Sequence, residues 1–173
     1  MPVNHTAQIQ SRNGGFTLIE VLVAALVLAI GILGLATTML LGLKSDQSAY
    51  FRSQASAIAY DMADRIRLNR TAADAGTYNN VDTNGTIPGD PSCTSSSGGC
   101  SSAQQAVMDA REWMGNFVKV DNAITNFSPK LPNGRGVVSR DGSGRYVITV
   151  TWSEADTRNR ANTTQSLSVR MTL

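Results

Sequence analysis

Apolar residues are spread unevenly along this chain, and changes in their spacing divide it. From Val21 to Leu43 the stretch VLVAALVLAIGILGLATTMLLGL carries no charge, and Glu20 and Lys44 bracket it. As a helix, a run of that length spans roughly 35 Å, enough to cross a hydrocarbon core of about 30 Å. A soluble core helix would keep a polar face, and this run has none. Beyond it the pattern turns amphipathic. Phe51, Ala55, Ile58, Met62 and Ile66 follow steps of three or four, while Arg52, Asp61, Asp64, Arg65 and Arg67 fall elsewhere. No proline lies between Phe16 and Arg70, so the pattern predicts one nearly continuous helix. Gly31 and Gly34 cost about 1 kcal/mol each relative to Ala in an exposed helix. They read as ordinary small residues of a membrane helix, as points of close helix approach, or as places where the segment loosens locally.

The rest of the chain changes period twice. Thr71 to Ser101 is rich in Gly, Ser, Asn, Asp and Thr, with Pro88 and Pro91, and reads as a long surface loop. A second helix is expected over 102–122. Ser102 and Gln105 fit a capping box, and Ala106, Ala110, Trp113, Met114 and Phe117 make its apolar stripe, with Trp113 as a packing anchor. Pro129 and Pro132 break the pattern. Strands follow over 136–173: Gly136 to Arg140, a turn at Asp141-Gly142-Ser143-Gly144, then Arg145 to Trp152. Tyr146, Ile148, Val150 and Trp152 share one face, as do Leu167, Val169, Met171 and Leu173 of a last strand beyond a polar loop at 154–162. The expected sheet is a three-stranded antiparallel meander, with room for a fourth strand from the 71–101 loop. The class is α+β.

Composition narrows the chemistry. The chain has 173 residues, 15 Lys+Arg against 13 Asp+Glu, and the charges are mixed along it. A nucleic-acid partner is not expected, since that needs clustered Lys and Arg. The one histidine, His5, lies near the N-terminus, so a His-based triad or a multi-ligand zinc site cannot form in the body of the chain. No catalytic residue, metal site or cofactor is expected. The stretch TYNNVDTNGTIPGD is rich in acids and amides but lacks the spacing of an EF-hand loop, so a polar turn is the better reading than calcium binding.

The apolar run does not read as a cleavable secretory signal. It is longer than a 7–15-residue signal core, and no small-residue cleavage site closes it. The leader before it carries Arg12 and no acid, whereas Lys44 and Asp46 cancel beyond it. That asymmetry favours a cytoplasmic N-terminus, with the body of the chain across the membrane. Cys93 and Cys100 agree, since CTSSSGGC is flexible enough to bring two sulfurs together in an oxidising compartment. A free thiol pair or two metal ligands are the rival readings, and neither finds supporting histidines.

Glu20 is the unusual residue: a carboxylate at the edge of a membrane segment sits at headgroup level, finds a partner, or marks function. Gly15-Phe16-Thr17-Leu18-Ile19-Glu20-Val21 resembles the processing site of type IV pilins and pseudopilins. The resemblance implies a cut by prepilin peptidase between Gly15 and Phe16, methylation of the new amino terminus, and a retained membrane helix. It divides the chain into a leader (1–15), a membrane-spanning half-helix (16–43), an amphipathic half-helix (44–70) and a periplasmic domain (71–173). It also implies that the carboxylate of Glu20 pairs with the N-terminal amine of a neighbouring subunit. The implied fold is pilin-like: a long helix packed on a small antiparallel sheet, with a second helix and a disulfide-containing loop.

The resemblance narrows further. SQASAIAYDMADRIRLNR (53–70), the spaced cysteines, the Trp113 helix, LPNGRG and YVITVTW look like PilV-type minor pilins. That subgroup implies a non-enzymatic role in initiating pilus assembly and in the tip complex, supporting twitching motility and adhesion. Its implied partners are other minor pilins, the major pilin and prepilin peptidase, with the inner membrane as its station before assembly. A minor pseudopilin of a type II secretion system shares the leader and helix. A membrane-tethered periplasmic enzyme or binding domain is the reading from a different class.

Overall fold

The computed structural model describes residues 14–95, 97–121, 125–155 and 161–173; His5 and Arg12 lie outside them. The described residues form seven elements in order: α1 (Leu18–Leu68), α2 (Arg70–Asp74), β1 (Val81–Asp82), α3 (Ser102–Met114), β2 (Arg135–Arg140), β3 (Tyr146–Ala155) and β4 (Asn162–Met171). The chain divides into two compact units, Met1–Ser45 and Asp46–Leu173.

In the first unit the described residues are helix preceded by a short irregular stretch, and every one is exposed. The helix passes Gly31 and Gly34 without a break, and a methyl group at either would meet no neighbour within 4 Å. The loss of propensity at these glycines is small beside the intact hydrogen-bond ladder. This is the one helix of the described residues long and apolar enough to cross a membrane.

The second unit holds the core. The expected stripe is where α1 buries itself: Ala55, Ile58, Met62 and Ile66 are buried together with Ala59 and Ala63, and Phe51 packs at the rim. The three alanines among these let the helix backbone come close, while Ile58, Met62 and Ile66 each supply about 1.5–3 kcal/mol of burial. The indole Nε1–H of Trp113 donates to the Ile58 carbonyl at 2.9 Å, tying α3 to α1. Ala106, Ala110, Met114 and Phe117 are buried along with Trp113.

The sheet has four antiparallel strands in the order β1-β2-β3-β4. The fourth strand is β1, from the 71–101 segment. Tyr146, Ile148, Val150 and Trp152 all face the core, with Met171, Val169, Leu167 and Gln165 of β4 opposite them. At the β2–β3 turn, the Asp141 carboxylate accepts the backbone N–H groups of Ser143 and Arg145, and Gly144 takes a φ of 77°. Only a residue tolerant of left-handed backbone closes that turn cheaply.

Several expected boundaries shift, each for a visible reason. The α3 cap is Ser101 with Gln104, one residue before the expected Ser102 and Gln105. Ser101-Ser102 and Gln104-Gln105 are both doubled, so the sequence fits either register. The observed one frees Gln105 to donate to Asp109 at 2.9 Å. The helix stops at Met114, well short of 122: Gly115, a poor helix former, is its C-cap, and the Asn116 side chain donates to the Trp113 carbonyl at 2.8 Å. The 71–101 segment is not wholly surface loop. It contributes α2 and β1, and it buries Ala72, Ala73, Tyr78, Thr83 and Cys93. Isolated apolar residues in a polar stretch leave no period to read. Strands β3 and β4 run on to pair Ala155 with Asn162, so the polar loop between them is shorter than 154–162.

Candidate assembly site

The motif residues gather at the start of α1. Gly14 to Thr17 are irregular and exposed, and helix begins at Leu18. Neither Gly14 nor Gly15 has a neighbour within 4 Å of where a Cβ would stand. The Gly15–Phe16 bond is therefore an exposed, non-helical peptide two residues ahead of the helix. Thr17 acts as the helix cap: its hydroxyl accepts the Glu20 N–H at 3.3 Å, and its carbonyl accepts the N–H groups of Glu20 and Val21 at 3.1 and 3.3 Å. Thr17 and Glu20 thus stand at the spacing that caps helix starts.

Glu20 lies in the first turn, where the unpaired N–H groups of the helix favour a negative charge. Its side chain is exposed and no side-chain partner reaches it among the described residues. The surroundings are apolar: Phe16 and Leu18 are 82% and 91% exposed, and Ile19, Val21 and Leu22 are exposed too. A carboxylate set in a greasy collar at a helix start has the chemistry to accept a cationic partner from outside the chain.

The two cysteines belong to the second unit. Cys93 and Cys100 are joined in a disulfide with Cα atoms 4.9 Å apart, and Cys93 is buried. The bond ends one residue before the Ser101 cap, so it anchors the loop to the start of α3. Loop closure over so short a segment stabilises by about 2 kcal/mol in the chain-entropy model.

A polar cluster that the sequence patterns did not single out also links α1 to α3. Arg65 donates to Glu112 at 2.7 Å, to Asp61 at 3.1 Å and to the buried Asp109 at 3.5 Å. Tyr78 donates a short hydrogen bond to Asp109, and Asn69 donates to the Tyr78 oxygen at 3.1 Å and to the Ser102 carbonyl at 2.7 Å. Burial, followed by the Asp109 hydrogen bond, pushes the Tyr78 hydroxyl well above its ordinary value. Burial alone would lower the Arg65 pKa, but pairing with Glu112 and Asp61 outweighs it and leaves the guanidinium raised. A buried carboxylate held by several donors is a structural tie between elements. Its signal in the sequence was the spacing of Gln105 to Asp109 and of Asp61 to Arg65.

The clefts of the second unit are shallow. One of about 340 Å³ is lined by Gln54, Ile58, Asp61, Arg65, Glu112 and Lys130. Among the described residues, no group of three or more His, Cys, Asp or Glu side chains is placed to hold a metal ion.

Residues 10–36 match the family model described as "Prokaryotic N-terminal methylation motif", and residues 40–111 match the one described as "Type IV pilin Tt1218". No curated protein and no solved structure matches the chain significantly. An N-terminal methylation motif on an apolar helix, joined to a unit in which helix packs on an antiparallel sheet, is consistent with a pilin fold and fits a membrane-anchored protein. Over residues 40–111 the chain is similar to that type IV pilin family.

Proposed function

We propose that this chain is a minor type IV pilin of the PilV type. In this reading prepilin peptidase cuts between Gly15 and Phe16 and methylates the new amine of Phe16. The membrane-spanning segment 16–43 holds the protein in the inner membrane, with the N-terminus cytoplasmic and the domain 71–173 periplasmic, while 44–70 carries the helix on into that domain. The subunit then joins other minor pilins and the major pilin in initiating the pilus and forming its tip, which supports twitching motility and adhesion.

The observation that carries the reading is the helix start. An exposed glycine bond, a Thr17 cap and a Glu20 carboxylate without a side-chain partner among the described residues stand at the head of an apolar stretch of helix in which no described residue is buried. Burying that carboxylate in a membrane or filament core is costly unless a positive charge meets it, so a neighbour's amine would favour one docking register. Methylating that amine leaves its positive charge in place.

The test is the intact mass of the membrane-expressed chain with and without prepilin peptidase. Loss of residues 1–15 together with one added methyl group is expected only with the peptidase. A leader that stays attached would overturn the reading. Glu20→Ala is expected to be processed normally and to enter filaments poorly; wild-type incorporation would remove the role given to Glu20. A deletion strain distinguishes pilus from secretion system, since loss of twitching is expected here and loss of type II secretion is the competing result.

A further inference from the structure

The two edges of the sheet are built differently. The β1 edge is two residues long, and the Asp82–Arg135 ion pair lies across it, with Nε of Arg135 at 2.9 Å from the carboxylate. The β4 edge is ten residues long, Asn162–Met171, and among the described residues no strand pairs with its outer side. It has no proline or glycine, and its one charge is Arg170, near its end. Edge strands normally carry charge, proline, a bulge or a cover, because their unpaired N–H and C=O groups recruit other strands. Among the described residues one edge is short and crossed by an ion pair, and the other is long and pairs with no further strand.

The side chains along β4 sharpen the point. Gln165, Leu167 and Val169 are on the core-facing row yet only half-buried, while Thr164, Ser166, Ser168 and Arg170 are exposed on the other face. A strand added outside β4 would finish covering the half-buried row if its own alternate residues were apolar. It would meet hydroxyls on the opposite face.

We infer that the outer edge of β4 pairs with β4 of a second copy of this chain, antiparallel about a two-fold axis at Leu167. The strand is complementary to itself. In that register Leu167 faces Leu167 and Gln165 faces Val169 on the core side, while Ser166 faces Ser168 and Thr164 faces Arg170 on the other. No like charges meet, and each direct pair lies on one face of the joined sheet, as cross-strand pairing requires. Moving the axis to Ser166 would set Leu167 against Gln165 and forfeit the apolar pair. A single strand pair is weak between proteins free in dilute solution, but anchoring two copies in one membrane raises their effective concentration. The inference rests on β4 and on the membrane anchoring proposed above, and does not require that the chain enter a pilus.

The test is disulfide trapping in the full-length, membrane-expressed chain. Leu167→Cys is expected to give a disulfide-linked dimer on mild oxidation, several-fold above Ser143→Cys in the β2–β3 turn. On the Leu167→Cys background, Thr164→Arg would place arginine against Arg170 of the other copy and is expected to lower the dimer yield several-fold. Thr164→Glu is expected to raise it. Should Leu167→Cys weaken the fold, Ser166→Cys and Ser168→Cys on two differently tagged chains replace exposed residues only, and the two tags are expected to cross-link. Dimer at Leu167→Cys no greater than at Ser143→Cys, with no cross-link between the two tags, would overturn the pairing. Self-cross-linking at Ser166→Cys in preference to Leu167→Cys would overturn the register.

Discussion

The segment before Ser45 and the unit that follows contain similar residue types and use them in opposite ways. In the first, Leu26, Leu28, Ile30 and Leu33 are each more than half exposed, and no described residue there is buried. In the second, Ile58, Met62 and Ile66 of the same helix are at most 4% exposed. Helical geometry is common to both. The difference is the source of burial: the second unit brings its own sheet and α3 to the apolar stripe, whereas the first must find its apolar surroundings outside the chain. Stability of the second unit is therefore a property of the single chain. The first unit's apolar residues contribute only through a membrane or a neighbour.

Substitutions should separate the two regions by size of effect. Trp113→Ala removes the largest fully buried side chain and the bond to the Ile58 carbonyl. It is expected to cost about 3–5 kcal/mol, read by denaturant melts of the full chain in detergent. Gly136→Ala comes next. Its Cβ would stand 2.7 Å from Phe117 Cε2 and 2.8 Å from Trp113 Cζ3, both in the packed core. Overpacking of this kind costs about 1–3 kcal/mol. A melt at the wild-type midpoint would show that β2 can shift away from α3.

The third effect is smaller and depends on pH. Hydrogen bonds from Arg135, then from the Asn84 backbone, hold the Asp82 carboxyl at about 2, below its ordinary 3.8. A depressed carboxyl stabilises the fold above its unfolded pKa and loses that contribution as pH falls through the folded value. The stability gap between wild type and Asp82→Asn should thus be constant near neutrality, narrow below about pH 4, and close near pH 2. A gap that widened on acidification would contradict the assigned pairing. Smallest of all is Leu28→Ala in the first unit, where no tertiary contact is lost. No change in the melt of the second unit is expected, and a loss approaching that of Trp113→Ala would erase the distinction between the regions.

Legibility in the sequence followed the same division. The uncharged run, the stripe from Phe51 to Ile66 and the alternation from Tyr146 to Trp152 are long periodic signals, and each reappears as an element with the expected face. The spacing of Cys93 and Cys100 in a flexible segment was legible too, and the bond is present. The doubled Ser and Gln at 101–105 put the expected cap one residue late, at Ser102 with Gln105 where the structure uses Ser101 with Gln104. Tyr78 and Gly136 gave no usable pattern, because each matters through a partner far away in the chain, and for Asp109 the spacing from Gln105 showed only the local part of its contacts.

The chain's own order of residues determined what is local: where helix is continuous, which faces are apolar, where turns fall, and that a processing-type motif precedes an uncharged helix. These depend on backbone propensity and on periods of 2 and 3.6, which neighbouring residues alone express. Tertiary structure decided the rest. It drew α2 and β1 out of a polar stretch, put Asp109 under Tyr78 and Arg65, brought Trp113 against Gly136, and, among the described residues, left the β4 edge without a further strand. Those outcomes are contacts between residues distant in sequence. They depend on which surfaces pack first to exclude water, so no local pattern can encode them.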